Sequence, residues 1–68
     1  MKNWFLLLRT DKYVDAEILR GMLEDNQIPV MVVNKQDSSY IFLGELEVYV
    51  PLQFRELACN IMGGTLTN

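Results

Sequence analysis

A chain of 68 residues carrying six basic and nine acidic side chains, a net charge of −3 and a mean hydropathy of +0.08 is one domain at most. A single cysteine, Cys59, and no histidine exclude an internal disulfide and leave no ligand set for a structural zinc, so no cofactor is expected. The cations are scattered between Lys2 and Arg55 without a run or stripe, which excludes the electrostatic footprint of a nucleic-acid partner.

At this size apolar burial, worth about 25 cal/mol per Å², barely offsets an ordering cost of about 1.5 kcal/mol per residue. Half of the residues are hydrophobic. Self-association as a dimer or trimer is therefore the expected route to a stable fold. The lone thiol fits a reducing compartment. The apolar run at residues 4–8 is closed by Arg9, short of the ~7–15 residues of a secretory core, and no small-residue cleavage site follows. Nothing approaches the ~20 apolar residues of a membrane span. The expectation is a cytoplasmic chain without a membrane partner.

Residues 4–9 (WFLLLR) predict a first strand, with Trp4, Leu6 and Leu8 on one side and Phe5 and Leu7 on the other. Thr10 or Asp11 is placed to cap a helix that starts near Val14, with Asp15 and Glu17 near its positive end. At 100° per residue Val14, Ile18, Leu19, Met22 and Leu23 form an apolar arc, with Glu17, Arg20 and Glu24 across from it. Gly21 falls at the edge of that arc, where it would permit close approach to a strand.

Asp25-Asn26-Gln27 is the expected stop of this helix, since Asn tolerates the left-handed conformation at a helix end. Residues 28–33 predict a second strand, placed at a sheet edge by Pro29, which lacks an N–H. A polar turn at 35–39 precedes four apolar residues, Tyr40, Ile41, Phe42 and Leu43, read either as an extension of the next strand or as an interface arm for a partner. Glu45, Glu47 and Tyr49 then alternate with Leu46, Val48 and Val50, the clearest half-buried strand of the chain, which ends at Pro51. Phe54, Leu57, Ala58, Ile61 and Met62 recur at helical spacing, and Gly63 and Gly64 are expected to stop this second helix. Met22, Met31 and Met62 read as core filler.

The order β-α-β-β-α predicts an α+β fold: a split β-α-β of ferredoxin-like plan, with two helices on one face of a three-stranded sheet and the third strand between the other two. Residues 1–64 would form the compact domain and 65–68 a tail or rudimentary strand. The far face of the sheet is left uncovered. It would carry Phe5, Leu7, Met31, Val33 and Tyr49, or their alternates, as a candidate self-association interface, and the outer edge of the first strand stays open.

Leu8-Arg9-Thr10, Asp15-Ala16-Glu17-Ile18-Leu19, Leu23-Glu24, Ile28-Pro29-Val30, Val33-Asn34 and the mid-helix Ala58 resemble a bacterial family of unknown function, the putative prokaryotic signal-transducing proteins. The similarity covers residues 4–62 and rests mostly on packing positions. It implies a regulatory role and a likeness to the nitrogen-regulatory PII proteins, which are ferredoxin-like, oligomeric and sense small metabolites. PII proteins carry a long effector loop and a nucleotide cleft. Here the corresponding connection is residues 35–44, without a glycine-rich or basic phosphate cradle, so nucleotide binding is not carried over.

Individual side chains add little chemistry. Asp15, near the middle of the apolar arc of the first helix, is either a pocket acid or a charge at the helix N-terminus, and Asn34 either a polar ligand contact or a turn residue. Cys59 would need a base to act as a nucleophile and reads as an inert, partly packed thiol. Glu45 and Glu47 share a strand face and could supply a carboxylate pair, although two residues so placed are ordinarily just solvated. The expectation is no enzyme but a small regulatory or binding module working by protein or small-ligand contacts. The alternatives are an interaction subunit completed by another protein and, last, an enzyme whose site is shared between subunits.

Overall fold

A computed structural model describes residues 3–35 and 45–66, the last three of these for the backbone only. The elements are β1 (Trp4–Thr10), α1 (Tyr13–Asp25), β2 (Met31–Asn34), β3 (Leu46–Pro51), a 3-10 turn (Leu52–Phe54) and α2 (Arg55–Leu66). The sheet runs β1-β3-β2, with β3 antiparallel to both neighbours, which is the predicted split β-α-β with both helices against one face. The predicted segment 40–43 falls outside the described residues.

The core lies between the helix layer and β3. Leu46, Val48 and Val50 point from the central strand into Ala16, Leu19 and Leu23 of α1 and Ala58 of α2, with Ile28 closing one end. Leu19, Leu23, Ile28, Val48 and Val50 are fully buried, each stabilising the fold by about 1.5–3 kcal/mol.

The inward stripe of α1 is narrower than its composition predicts. Ala16, Leu19 and Leu23 are its buried residues, whereas Val14 and Ile18 are 64% and 46% exposed. The expected arc counted those β-branched side chains because they are apolar, while small Ala16 alone lets the helix sit close to the sheet. Gly21 is likewise exposed, with nothing among the described residues within 4 Å of the position a Cβ would take, so it serves no close approach to β1, β2 or β3.

The helix N-cap is Lys12, with no side-chain cap; the Thr10 hydroxyl accepts the Lys12 N–H (3.0 Å) and shapes the entry turn, and Asp11 is not the cap. At the other end Asn26 keeps φ −95°, and Gln27 takes the left-handed conformation, φ 62°. Ile28 N–H donates to the Leu23 carbonyl (3.0 Å) and Gln27 N–H to that of Glu24 (2.9 Å), the Schellman pattern. Its apolar contact joins Leu23 to Ile28, both inside the core. The left-handed residue of the expected stop is thus Gln27 rather than Asn26, whose side-chain amide donates to the Met22 carbonyl (2.8 Å).

β2 is shorter than predicted, starting at Met31 rather than residue 28, since Ile28 belongs to the helix stop and Pro29 cannot donate to a ladder. It is an edge strand, as Pro29 requires. α2 continues through Gly63 and Gly64 to Leu66, so the glycine pair does not end it and residues 65 and 66 are helical, not a tail or strand.

Candidate functional site

Among the described residues no element covers the face of the sheet turned away from the helices, and its apolar side chains are half-buried. Because Val48 points into the core, its neighbours Glu47 and Tyr49 point outward, and residues paired directly with them share that face. Leu6 and Met31 therefore flank Tyr49, Arg9 and Val33 flank Glu47, and Trp4 lies opposite Pro51. One end of the face is apolar (Trp4, Leu6, Met31, Tyr49); the other holds Arg9, Glu45, Glu47 and Lys35.

This arrangement corrects the predicted face at two residues. Met31, Val33 and Tyr49 lie on it, but Phe5 pairs with Val50 and packs on the core, and Leu7 is 8% exposed within the core, so the alternates Trp4 and Leu6 take their places. The strand register slips between Leu6 and Leu8, a bulge that leaves Leu7 without a partner on β3. Strict alternation would put Leu8 on the open face and Arg9 under the helices. The extra residue reverses both: Leu8 packs on the core and Arg9 comes out beside the glutamates.

There Arg9 bridges two carboxylates. Its Nε donates to Glu45 Oε2 and its Nη2 to Glu47 Oε2, both at 3.1 Å. The Tyr49 hydroxyl donates to the other Glu47 oxygen at 2.8 Å. Glu47 is only 4% exposed although no helix of the described residues covers it, so it is not the solvated strand residue its position predicts. The Tyr49 hydrogen bond holds its pKa below the usual carboxylate value against the opposing effect of burial, with Arg9 and Lys35 adding to the lowering. The same hydrogen bond, with burial and the charge of Glu47, raises the Tyr49 phenol. Both Glu47 oxygens are engaged and its proton affinity is lowered, the opposite of what a proton-transfer group at neutral pH needs. Arg9 and the two glutamates form a partly exposed ion-pair cluster, with Lys35 near enough to act on Glu47, at one end of a largely apolar sheet face.

Residues 4–63, all three strands and most of α2, match the family model described as putative prokaryotic signal transducing protein. The chain belongs to this family. No curated protein and no solved structure shows significant similarity to it. The matched span of the family takes in the whole sheet face just described and the outer surface of α1.

The other residues singled out from sequence do not converge on this face. Asp15 is partly exposed in the first turn of α1, on the flank of the helix rather than in an apolar arc. Asn34 ends β2 opposite buried Leu46, on the helix side of the sheet. Cys59 is exposed on α2 rather than partly packed. Among the described residues no three of Cys, Asp and Glu are grouped as a metal site requires, and no helix is long and apolar enough to cross a membrane. A shallow depression of about 340 Å³ lies at the start of α2 between Leu52, Gln53, Arg55 and Glu56, away from the cluster. The buried state of Glu47 was the feature hardest to read from sequence. Its only signals are a cation, Arg9, closing one apolar strand and glutamates alternating on another.

Proposed function

We propose that this chain is a small, non-catalytic regulatory module of the cytoplasm, PII-like in acting through assembly and contacts, that self-associates by its open sheet face. Its family description supports a role in signal transduction. The observation that carries the reading is the composition of that face: apolar at one end and charge-compensated at the other, Arg9 and Lys35 against Glu45 and Glu47. A second copy can cover the apolar end, while at the other Arg9 already pairs with both glutamates.

The edges support the choice of the face. β1 carries a bulge, and β2 is four residues long and preceded by Pro29, two devices that blunt strand-to-strand pairing. A face packed on its own copy closes as a two-fold dimer rather than a trimer. Three strands about 4.8 Å apart and a seven-residue β1 give a face of roughly 14 by 23 Å, about 320 Å² a side against the roughly 800 Å² of a standard interface, so the association is weak and transient.

Native mass spectrometry of the untagged chain, over a dilution series, tests this. A dimer that dissociates on dilution supports the reading; a monomer at every concentration, or one retained only with a second protein, replaces it with that of a subunit completed by another chain.

A further inference from the structure

The layer opposite the sheet carries a second surface. Residues 11–25 hold five carboxylates (Asp11, Asp15, Glu17, Glu24, Asp25) against two cations (Lys12, Arg20), the entire net charge of −3, and the rest of the chain is neutral. The same helix exposes Tyr13 (67%), Val14 and Ile18, three of the five large apolar side chains the described residues leave open to solvent. Val14 and Ile18, four residues apart, stand on the side of α1 turned away from Ala16, Leu19 and Leu23, with Gly21 one turn further along.

Acidic side chains line this stripe. On the helical wheel Asp15 falls on one flank, Glu17 and Glu24 on the other, and Asp25 at the end. Arg20 is the one cation within α1, and it is committed to its own helix: it bridges Glu17 at 2.6 Å and Glu24 at 3.4 Å, and these contacts raise its pKa. Gly21 lies open and weakens the helix relative to alanine, with no packing among the described residues to offset it. It leaves a notch in the stripe where another backbone can come close.

We infer that the outer face of α1 is a docking stripe for a basic amphipathic helix of a partner protein, its apolar residues seated on Val14, Ile18 and the Gly21 notch and its lysines or arginines against the acidic flanks. Charge selects this occupant. Nucleic acid and anionic lipid are repelled by the carboxylates, and a second copy of α1 would bring like charges together. The stripe from Tyr13 to Asp25 is about 18 Å long, room for some three turns of helix. This surface is independent of the sheet face and holds whether or not that face self-associates.

The probe is a synthetic helical peptide of about 15 residues with leucines at i, i+4 spacing flanked by lysines, titrated into the full-length, isotope-labelled chain and followed by amide NMR. Its control has every lysine replaced by glutamate. The expected result is saturable shifts confined to α1 with the basic peptide only, weakened several-fold between about 50 mM and about 500 mM salt. Val14→Ser with Ile18→Ser, both exposed positions that leave the core intact, weakens binding at least tenfold by removing the apolar contact, roughly 1.4 kcal/mol or more. Asp15→Lys with Asp25→Lys does so by charge alone. Equal binding of the acidic peptide, shifts centred on β1 and β2, no saturable shift, or α1 shifts that depend on dilution of the chain without peptide would each overturn the inference.

Discussion

Leu6 is the residue on which face-to-face pairing of two sheets depends most measurably. It lies opposite Tyr49 at the apolar end of the open face and is partly covered by its own sheet. Full burial of a leucine is worth about 1.5–3 kcal/mol, and a second copy covers only what remains, about 0.7 kcal/mol per chain. A two-fold interface counts the change twice, so Leu6→Ala weakens the dimer by about 1.4 kcal/mol, a tenfold rise in Kd. Leu6→Lys goes further. Its aliphatic stem keeps the packing of the monomer, but the ammonium would be buried without a partner at several kcal/mol, and the dimer disappears. Sedimentation equilibrium beside native mass spectrometry reads both changes, and a thermal melt followed by circular dichroism verifies that each variant stays folded. Val14→Ser, on the other layer, is the matched control and leaves the stoichiometry unchanged. Wild-type Kd in Leu6→Lys, or an equal loss in Val14→Ser, would refute the face-to-face arrangement.

Three further outcomes concern the fold and its polar cluster. Gln27 carries φ 62°, so Gln27→Gly relieves the left-handed strain and stabilises the chain by about 0.5–1 kcal/mol, raising Tm by about 4–7 °C for 68 residues; a lower Tm would mean the Gln27 side chain contributes contacts that outweigh its strain. Leu19→Ala empties a fully buried site and costs about 2–5 kcal/mol, comparable to the whole stability of so small a domain, so its circular dichroism at room temperature should show a large unfolded fraction. Glu47, with its folded pKa depressed, contributes stability that is present above its unfolded pKa and lost as pH falls through the folded value. Tyr49, with its pKa raised, contributes stability below its unfolded pKa that is lost as pH rises through the folded value. Tyr49→Phe removes the hydrogen bond behind both shifts, so the acid-unfolding midpoint moves to higher pH and the alkaline loss shrinks; pH titrations of the two proteins in urea compare them, and superimposable acid limbs would contradict the assigned cause.

What could be read from the sequence follows from what each signal measures. Alternation at Leu46, Val48 and Val50, the apolar spacing of the two helices and Pro29 at an edge are local patterns that report local burial, and they were sufficient for element order and for β3 in the centre. The faces were harder, because they depend on one residue of register. Nothing in WFLLLR marks Leu7 as a bulge, yet that bulge decides that Arg9 rather than Leu8 emerges beside Glu45 and Glu47. In α1 a count of apolar residues favoured Val14 and Ile18, while tertiary packing chose Ala16 for its smallness. Apolar residues in excess of what the core can hold are the ones left as surface, and they are where contacts with other chains have to be sought.

The two proposed surfaces also differ in a way that would make them cooperate. The sheet face is charge-compensated and the helix layer holds all the net negative charge, so pairing through the sheets sends both α1 stripes outward. With sheets about 10 Å apart, a helix layer about 10 Å beyond each and a helix radius of about 5 Å, the stripes face opposite ways some 40 Å apart. One short peptide cannot reach both, so in solution the dimer and the Leu6→Lys monomer bind the basic peptide with the same Kd. On a surface densely coated with that peptide on long flexible tethers the dimer engages two sites, and linkage of this kind raises retention by about 10²–10⁴-fold. Leu6→Lys should therefore dissociate from such a surface much faster than the parent chain while matching it in free solution. Equal dissociation from the dense surface would mean that the two stripes are never displayed together, and would count against the sheet-paired dimer even if the stripe itself binds.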